Sequence, residues 1–341
     1  MKKISLLNFL IVSFLFISCE QIKTSESFTA MNTYMTVSVY TSSSKNGHAV
    51  CDKIQSSVCS LEGILSTTLP SSNVYELNNN KFLNGPVNSE LLEILDFSKK
   101  MFIKTKGSFN PALYPVIREW GFTTEEYKIP SETRIQELLL NTDFSKVQSA
   151  ASGIKLADGM ELDFGAIGKG YAADKAVEIL KANGIKSALL DFGGNIQTLG
   201  KKPDGSLWRV GIKNPWQGGA AVALSLESKA VVTSGGYERF FEKDGQRYIH
   251  IFDPKTGHPS LSNLESVTIV CESGKYADAL STALFVMGSE DAVSFYKNNP
   301  DFDFVLITKA GELIYTSGLK ASIELLIEFS HVECISDSFK N

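Results

Sequence analysis

The sequence predicts an α+β fold with largely antiparallel sheets and helices packed on them. Three observations carry that expectation. Strand-like segments follow one another at 206–213, 221–227, 229–234 and 246–252 with no helix between them. Helical periodicity is gathered elsewhere, at 48–65, 89–104, 131–141, 276–288 and 290–298. The strict strand–helix alternation of a doubly wound fold is missing from the pattern.

The elements follow in order. "NTYMTVSVY" (32–40) alternates and reads as a strand. In 48–65, Cys51, Ile54, Val58, Leu61 and Leu65 lie on or near one helical stripe. "LPSSNVYELNNN" (69–80) reads as a loop. Residues 89–104 repeat helically through Leu91, Leu92, Leu95 and Phe102, with Gly107 as a stop. "SFNPALYPVIREW" (108–120) carries two prolines and starts irregularly. After a glycine-rich stretch, Ala172, Ala173, Ala176, Val177 and Leu180 form an apolar stripe that Gly184 ends. "KSALLDF" (186–192) reads as a buried strand running into Gly193-Gly194-Asn195, and 303–308 with 312–316 reads as a last hairpin.

The 341 residues, 43% hydrophobic and 21% charged, are the composition of a globular chain with a sizeable core. A net charge of −5 argues against a general nucleic-acid binder, but a local site can still oppose that sign. Lys2 and Lys3 precede an apolar run, Ile4 to Ile17, too short to span a bilayer comfortably. Its end, "FISC" at Cys19, has the form of a lipoprotein processing site; the plainer alternative is a signal peptide with an incidental cysteine. The expected organisation is a signal peptide over 1–18, a polar tether over 19–28 beginning at a lipidated Cys19, one domain over 29–330 and a tail over 331–341. Cys51 and Cys59 lie eight residues apart on one helix, roughly 12 Å along its axis, too far for a disulfide. With Cys271 and Cys334 they are expected to fill the core.

Three stretches carry polar residues suited to chemistry. "ELDFGAIGKGYAAD" (161–174) fails as a Walker A loop, because Gly165 to Gly168 is too short a span and Gly170 stands where the hydroxyl residue belongs. It also fails as a dinucleotide fingerprint, since its glycines are spaced G-x-x-G-x-G. What survives is a glycine-rich helix start between Asp163 and Lys169, suited to meeting an anion or a metal; the bland alternative is close helix packing beside a solvated lysine. The stretch 233–259 places His250 near the end of a strand, His258 in a loop, and Glu238 next to Arg239 as a surface ion pair. His250 taken alone is more readily structural than functional. In "ADALSTALF", Asp278 and Thr282 share a helix face at i, i+4, an oxygen pair suited to Mg²⁺. The alternative is a carboxylate favouring the helix dipole and a threonine bonded back to its own helix.

Together with "MNTYMTV" (31–37), "GSFNPAL" (107–113), "LLDFGGNIQTLG" (189–200) and "VVTSGGYERF" (231–240), these stretches resemble the FAD:protein FMN transferase family, also called ApbE, in the family's order over almost the whole chain past the leader. The resemblance implies exported enzymes that bind FAD and Mg²⁺ and move the FMN half of FAD onto a threonine, sometimes a serine, of a partner flavoprotein, releasing AMP. It implies metal ligation by the Ala166 carbonyl and the side chains of Asp278 and Thr282. FAD contacts fall on Met31, Ser108, Phe109, Asn110, Asp163, Lys169 and Phe252, and the base falls on His250. A lipid anchor on a periplasm-facing inner membrane fits the same family. Two positions depart from its pattern. Asn110 stands where an aspartate is usual, and Thr68 stands where a tyrosine is usual. A small residue at Thr68 would admit water, so hydrolysis of FAD to FMN and AMP is the second reading. A flavin-binding lipoprotein without turnover ranks below both.

Overall fold

The computed structural model describes residues 21–336, so Cys19 and the leader lie outside the described residues. Nine strands form the central sheet in simple chain order. They are β1 (Ile22–Ala30), β2 (Thr33–Thr41), β3 (Ala188–Phe192), β4 (Asn195–Leu199), β5 (Ala230–Gly235), β6 (Leu264–Cys271), β7 (Asp303–Thr308), β8 (Glu312–Thr316) and β9 (His331–Ile335). Every pairing is antiparallel except β8 with β9, which is parallel. The α+β expectation therefore holds.

The helices are α1 (Ser44–Leu65), α2 (Asn73–Asn80), α3 (Ser89–Lys104), α4 (Tyr114–Glu119), α5 (Glu132–Leu139), α6 (Gly168–Ala182), α7 (Gly274–Met287) and α8 (Ser289–Asn298). The large core lies between one sheet face and α1, α6 and α7, with Val37, Ile54, Leu61, Tyr171, Ile269, Leu280 and Phe304 buried in it. The other face packs on a three-stranded sheet (Trp208–Lys213, Ala220–Leu226, Ile323–Leu325) through Val231, Val270, Val305, Ile307, Ile212 and Leu224. Successive residues such as Val231 and Val232 thus feed opposite cores. A third cluster, Leu113, Val116, Trp120, Phe122, Ile135 and Phe252, fastens α4 and α5 to the 252–259 segment, where Trp120 Nε1 donates to the Gly257 carbonyl at 3.0 Å.

Strand register sets the site. β1 and β2 meet in a two-residue turn whose central residues, Met31 and Asn32, have φ of 50° and 56°, the geometry that matches strand twist. β3 and β4 meet the same way at Gly193 and Gly194. Met35 pairs with Phe192, and Gly235 pairs with Ser266. Both turns and the Ser234–Gly235 end of β5 therefore share one edge of the sheet. A Cβ on Gly193 would stand 2.2 Å from Thr33 Oγ1, so the two turns nest only because that residue is glycine.

Several expectations are corrected. The tether does not run to residue 28: β1 begins at Ile22 and pairs along its whole length with β2, with alternate residues such as Thr24, Phe28 and Ala30 turned inward. The tail does not begin at 331, because His331–Ile335 extends the sheet. Within 69–80, Asn73–Asn80 is helical, started by the Ser72 hydroxyl accepting from Tyr75 N–H at 3.0 Å. The strand at 246–252 divides into Gln246–Ile249 and Phe252–Asp253. His258 pairs with Asp253 instead of lying in a loop, and its ring meets Glu132 and Trp120. Cys51 and Cys271 are buried, but Cys59 and Cys334 are exposed and fill no core; all four are free thiols.

Candidate active site at the sheet edge

α6 and α7 cross in backbone contact. A Cβ on Gly170 would lie 2.2 Å from the Gly274 carbonyl oxygen and 2.7 Å from Asp278 Cβ, so only glycine permits the approach. Asp174, on the next turn of α6, caps α7 by accepting from Gly274 N–H at 2.5 Å, Lys275 N–H at 3.2 Å and Ser273 Oγ at 2.8 Å. Behind the crossing, Glu93 of α3 receives Lys175, Lys275 and the Tyr171 hydroxyl at 2.9, 2.8 and 2.7 Å. Burial alone would raise its carboxyl; these donors bring it down to about 2.

The crossing diverts one hydrogen bond. Gly170 N–H, which would close the first turn of α6 onto the Ala166 carbonyl, donates instead to Asp278 Oδ2 at 2.9 Å. Among the described residues no N–H donates to the Ala166 carbonyl. Asp278 is 4% exposed, and Thr282 lies one turn further along α7. The threonine does not bond back to its own helix: its hydroxyl meets Ser234 Oγ of β5 at 3.3 Å. A carbonyl without a donor, a carboxylate with one oxygen still free and a hydroxyl make an all-oxygen set, which fits a hard divalent cation such as Mg²⁺. Among the described residues no cluster of three His, Cys, Asp or Glu side chains competes as a metal site.

The FAD-contact expectations fall around the start of α6. Met31 N–H donates to Glu62 Oε1 at 2.8 Å, fixing the β1–β2 turn against the C-terminal end of α1. Thr68 follows that end in a turn organised by Ser66, whose hydroxyl accepts from Thr68 N–H and Leu69 N–H at 3.1 and 3.0 Å. Leu65 of α1 is also the near neighbour of Gly168, the first residue of α6. Asp163 N–H donates to the Pro111 carbonyl at 2.9 Å, which joins the 108–113 segment to the same place. Ser108 is half-buried there. Two of these side chains are buried, and a third is partly engaged. Phe109 is 1% exposed in the large core and Phe252 is 4% exposed between Trp120 and Phe122. Asn110 gives one amide N–H to Thr142 O at 2.9 Å and accepts from Ala112 N–H at 3.0 Å, which leaves its second N–H without a partner among the described residues.

Electrostatics ties His250 to the same place. Its Nδ1 lies 3.0 Å from the Arg239 carbonyl oxygen, which also accepts its backbone N–H at 3.0 Å. A carbonyl only accepts, so Nδ1 carries the ring proton and Nε2 keeps a free lone pair. Burial, together with the charges of Arg239 and Lys169, outweighs that bond and lowers the imidazole to about 4. Asp163 moves the other way. Burial raises its carboxyl, against the Gly165 N–H and the charges of Lys169 and Arg239. Lys169 forms no ion pair with a described carboxylate. Arg239 is the residue that sequence reasoning missed. It does not pair with Glu238, which meets Lys213 at 3.2 Å; its Nη2 donates to the Phe122 carbonyl at 2.6 Å. A cavity of about 310 Å³ lies alongside, lined by Tyr248, Ile249, His258 and Phe285 and by none of Asp163, Lys169, His250 or Asp278.

Oxygen donors, two cations and a neutral imidazole on one sheet edge describe an enzyme site for a phosphorylated substrate. The ApbE family model matches residues 31–306, and the chain belongs to that family. A FAD:protein FMN transferase of Treponema pallidum is 34% identical over 299 residues, covering 82% of each chain. A FAD:protein FMN transferase of Klebsiella pneumoniae is 31% identical over 262 residues, 75% of this chain and 81% of that one. The Thermotoga maritima ApbE crystal structure superposes with a TM-score of 0.82 at 30% identity, covering 88% of this chain and 99% of that one. The apo flavinyl transferase ApbE of Pseudomonas stutzeri gives 0.76 at 28% identity, over 86% and 93%.

Proposed function

We propose that this chain is an FAD:protein FMN transferase, taking FAD as substrate and a partner flavoprotein as acceptor. The observation that carries it is the neutral His250, with Nε2 free beside Lys169 and Arg239, in a chain of this family. The two cations attract the FAD diphosphate. The acceptor threonine attacks the FMN phosphorus, the bond from that phosphorus to the bridging oxygen breaks, AMP leaves carrying the bridging oxygen, and the hydroxyl proton passes to His250 Nε2. The loaded diphosphate offsets the cations that depress His250, so the imidazole becomes a stronger base when substrate is present. Mg²⁺, held by the Ala166 carbonyl, Asp278 and Thr282, would neutralise charge on the diphosphate oxygens. Export and lipidation at Cys19 belong to the same proposal, on the strength of the leader sequence, with the domain facing the periplasm.

The test is incubation with FAD, Mg²⁺ and a periplasmic flavoprotein acceptor, resolved for AMP and covalently bound flavin. Both products are expected in equal amounts, and no flavinylation of any acceptor would reject the proposal. Thr68 favours a second activity, FAD hydrolysis, because a short side chain stands where a tyrosine is usual in the family. FMN and AMP formed without acceptor would support it; FAD unchanged over hours would reject it.

A further inference from the structure

Behind Thr282 lies a chain of hydroxyls with a fixed direction. Ser281 Oγ is 2.9 Å from the main-chain carbonyl of Asp278 and 2.8 Å from Ser234 Oγ, and Ser234 Oγ is 3.3 Å from Thr282 Oγ1. Each hydroxyl has one proton to give. The carbonyl can only accept, so the Ser281 proton goes there. Ser281 must then accept from Ser234, and Ser234 must accept from Thr282. The Thr282 proton is therefore turned back toward β5, and its lone pairs are what remain for the site.

We propose that Ser234 and Ser281 are positioning residues that hold the Thr282 hydroxyl as an acceptor-only oxygen for a divalent cation. The inference rests on the metal reading given under the proposed function and adds what makes a neutral hydroxyl serviceable there. A freely rotating threonine hydroxyl can aim its proton at the cation, which repels it. Here that orientation would break the contact with Ser234. Ser281 is 0% exposed, so the direction of the chain is set at its buried end, while Ser234 and Thr282 are half-buried. The chain also ends on the backbone of Asp278, the residue whose carboxylate receives Gly170 N–H. The hydroxyl chain orients Thr282 and the Gly170 N–H orients the Asp278 carboxylate, and outer partners of this kind typically govern affinity without touching the ion.

Mn²⁺ titrated into the protein without FAD, with free Mn²⁺ followed by electron paramagnetic resonance, tests this in wild type, Asp278→Ala, Ser234→Ala, Ser281→Ala and Ser234→Thr. Thermal melting establishes which variants fold. Ser234→Ala and Ser281→Ala are expected to weaken Mn²⁺ binding by about tenfold. They should raise the Mg²⁺ needed for half-maximal flavinylation in parallel and lower kcat at saturating Mg²⁺ much less. Ser234→Thr, which keeps a hydroxyl, should restore most of the affinity. If either folded alanine variant binds Mn²⁺ like wild type while Asp278→Ala loses it, the hydroxyl chain is structural and the inference fails alone. If Asp278→Ala also binds like wild type, the metal reading itself fails and takes the inference with it.

Discussion

Asp278 and His250 are held by very different amounts of structure. Asp278 is 4% exposed on a helix capped by Asp174 and pressed against α6, glycine on glycine. His250 follows a two-stranded ribbon, Phe240–Lys243 with Gln246–Ile249, whose residues are exposed or half-buried. That ribbon is steadied by stacked rings, Tyr127 on Phe241 and Phe241 on Tyr248, each pair with centroids 4.9 Å apart, and by the Arg239 bond to Phe122. The difference follows from the two tasks. Cation ligands lose their function over displacements well under an ångström, and a close-packed core is where such tolerances are kept. A proton acceptor that must meet a hydroxyl on another protein needs an approach, and the rim of the sheet supplies one.

The comparison can be broken from either side. Asp278→Ala should reduce metal-dependent turnover to background, the largest effect; wild-type activity persisting in a chelator would show that turnover needs no metal. His250→Ala should slow FMN transfer by about 10²- to 10⁴-fold while the KM for FAD changes little, and equal loss of binding and rate would make the histidine structural. Gly170→Ala puts a methyl 2.2 Å from the Gly274 carbonyl, so the helices must separate. A loss of about 1–3 kcal/mol in denaturant unfolding is expected, together with weaker Mn²⁺ binding.

Acid dependence sharpens the contrast. The free site keeps His250 neutral down to about 4, so the acid limb of kcat/KM should lie near there. Bound diphosphate opposes the Lys169 and Arg239 charges and raises the histidine, so the acid limb of kcat should lie at higher pH. Coincident limbs would show that no anion binds beside the imidazole. Phe241→Ala should have the smallest effect, about 0.5–1.5 kcal/mol, read as faster amide exchange over residues 240–250 with little change in α7.

Much of this was legible in the sequence where a segment has one buried face. Residues 89–104 are α3, and 303–308 with 312–316 are β7 and β8. The strand Leu264–Cys271 left no alternation to read, because Ile269 and Val270 are buried in cores on opposite faces. α2 is short and polar, and its one clear signal was Ser72 as an N-cap. In the site, residue types were readable but not their partners. The diverted Gly170 N–H joins positions 108 residues apart. Arg239 reaches a carbonyl 117 residues away, and Ser234 meets a threonine 48 residues away. None of these leaves a local spacing. At Phe109, Asn110 and Phe252 the motif names residues without saying whether the side chain or the main chain would face a ligand.

β1 also measures a height. Between Cys19 and its first residue, Ile22, stand Glu20 and Gln21. Met31 stands twelve residues after Cys19, at most about 40 Å of extended chain. A lipid on Cys19 would keep the catalytic edge within that reach of the bilayer. The threonine of an acceptor must then descend to the same zone to receive its flavin. Membrane-bound acceptors would meet the site repeatedly, and freely diffusing ones only when they touch the surface. Choice of partner would thus be set partly by altitude, through nine residues of strand.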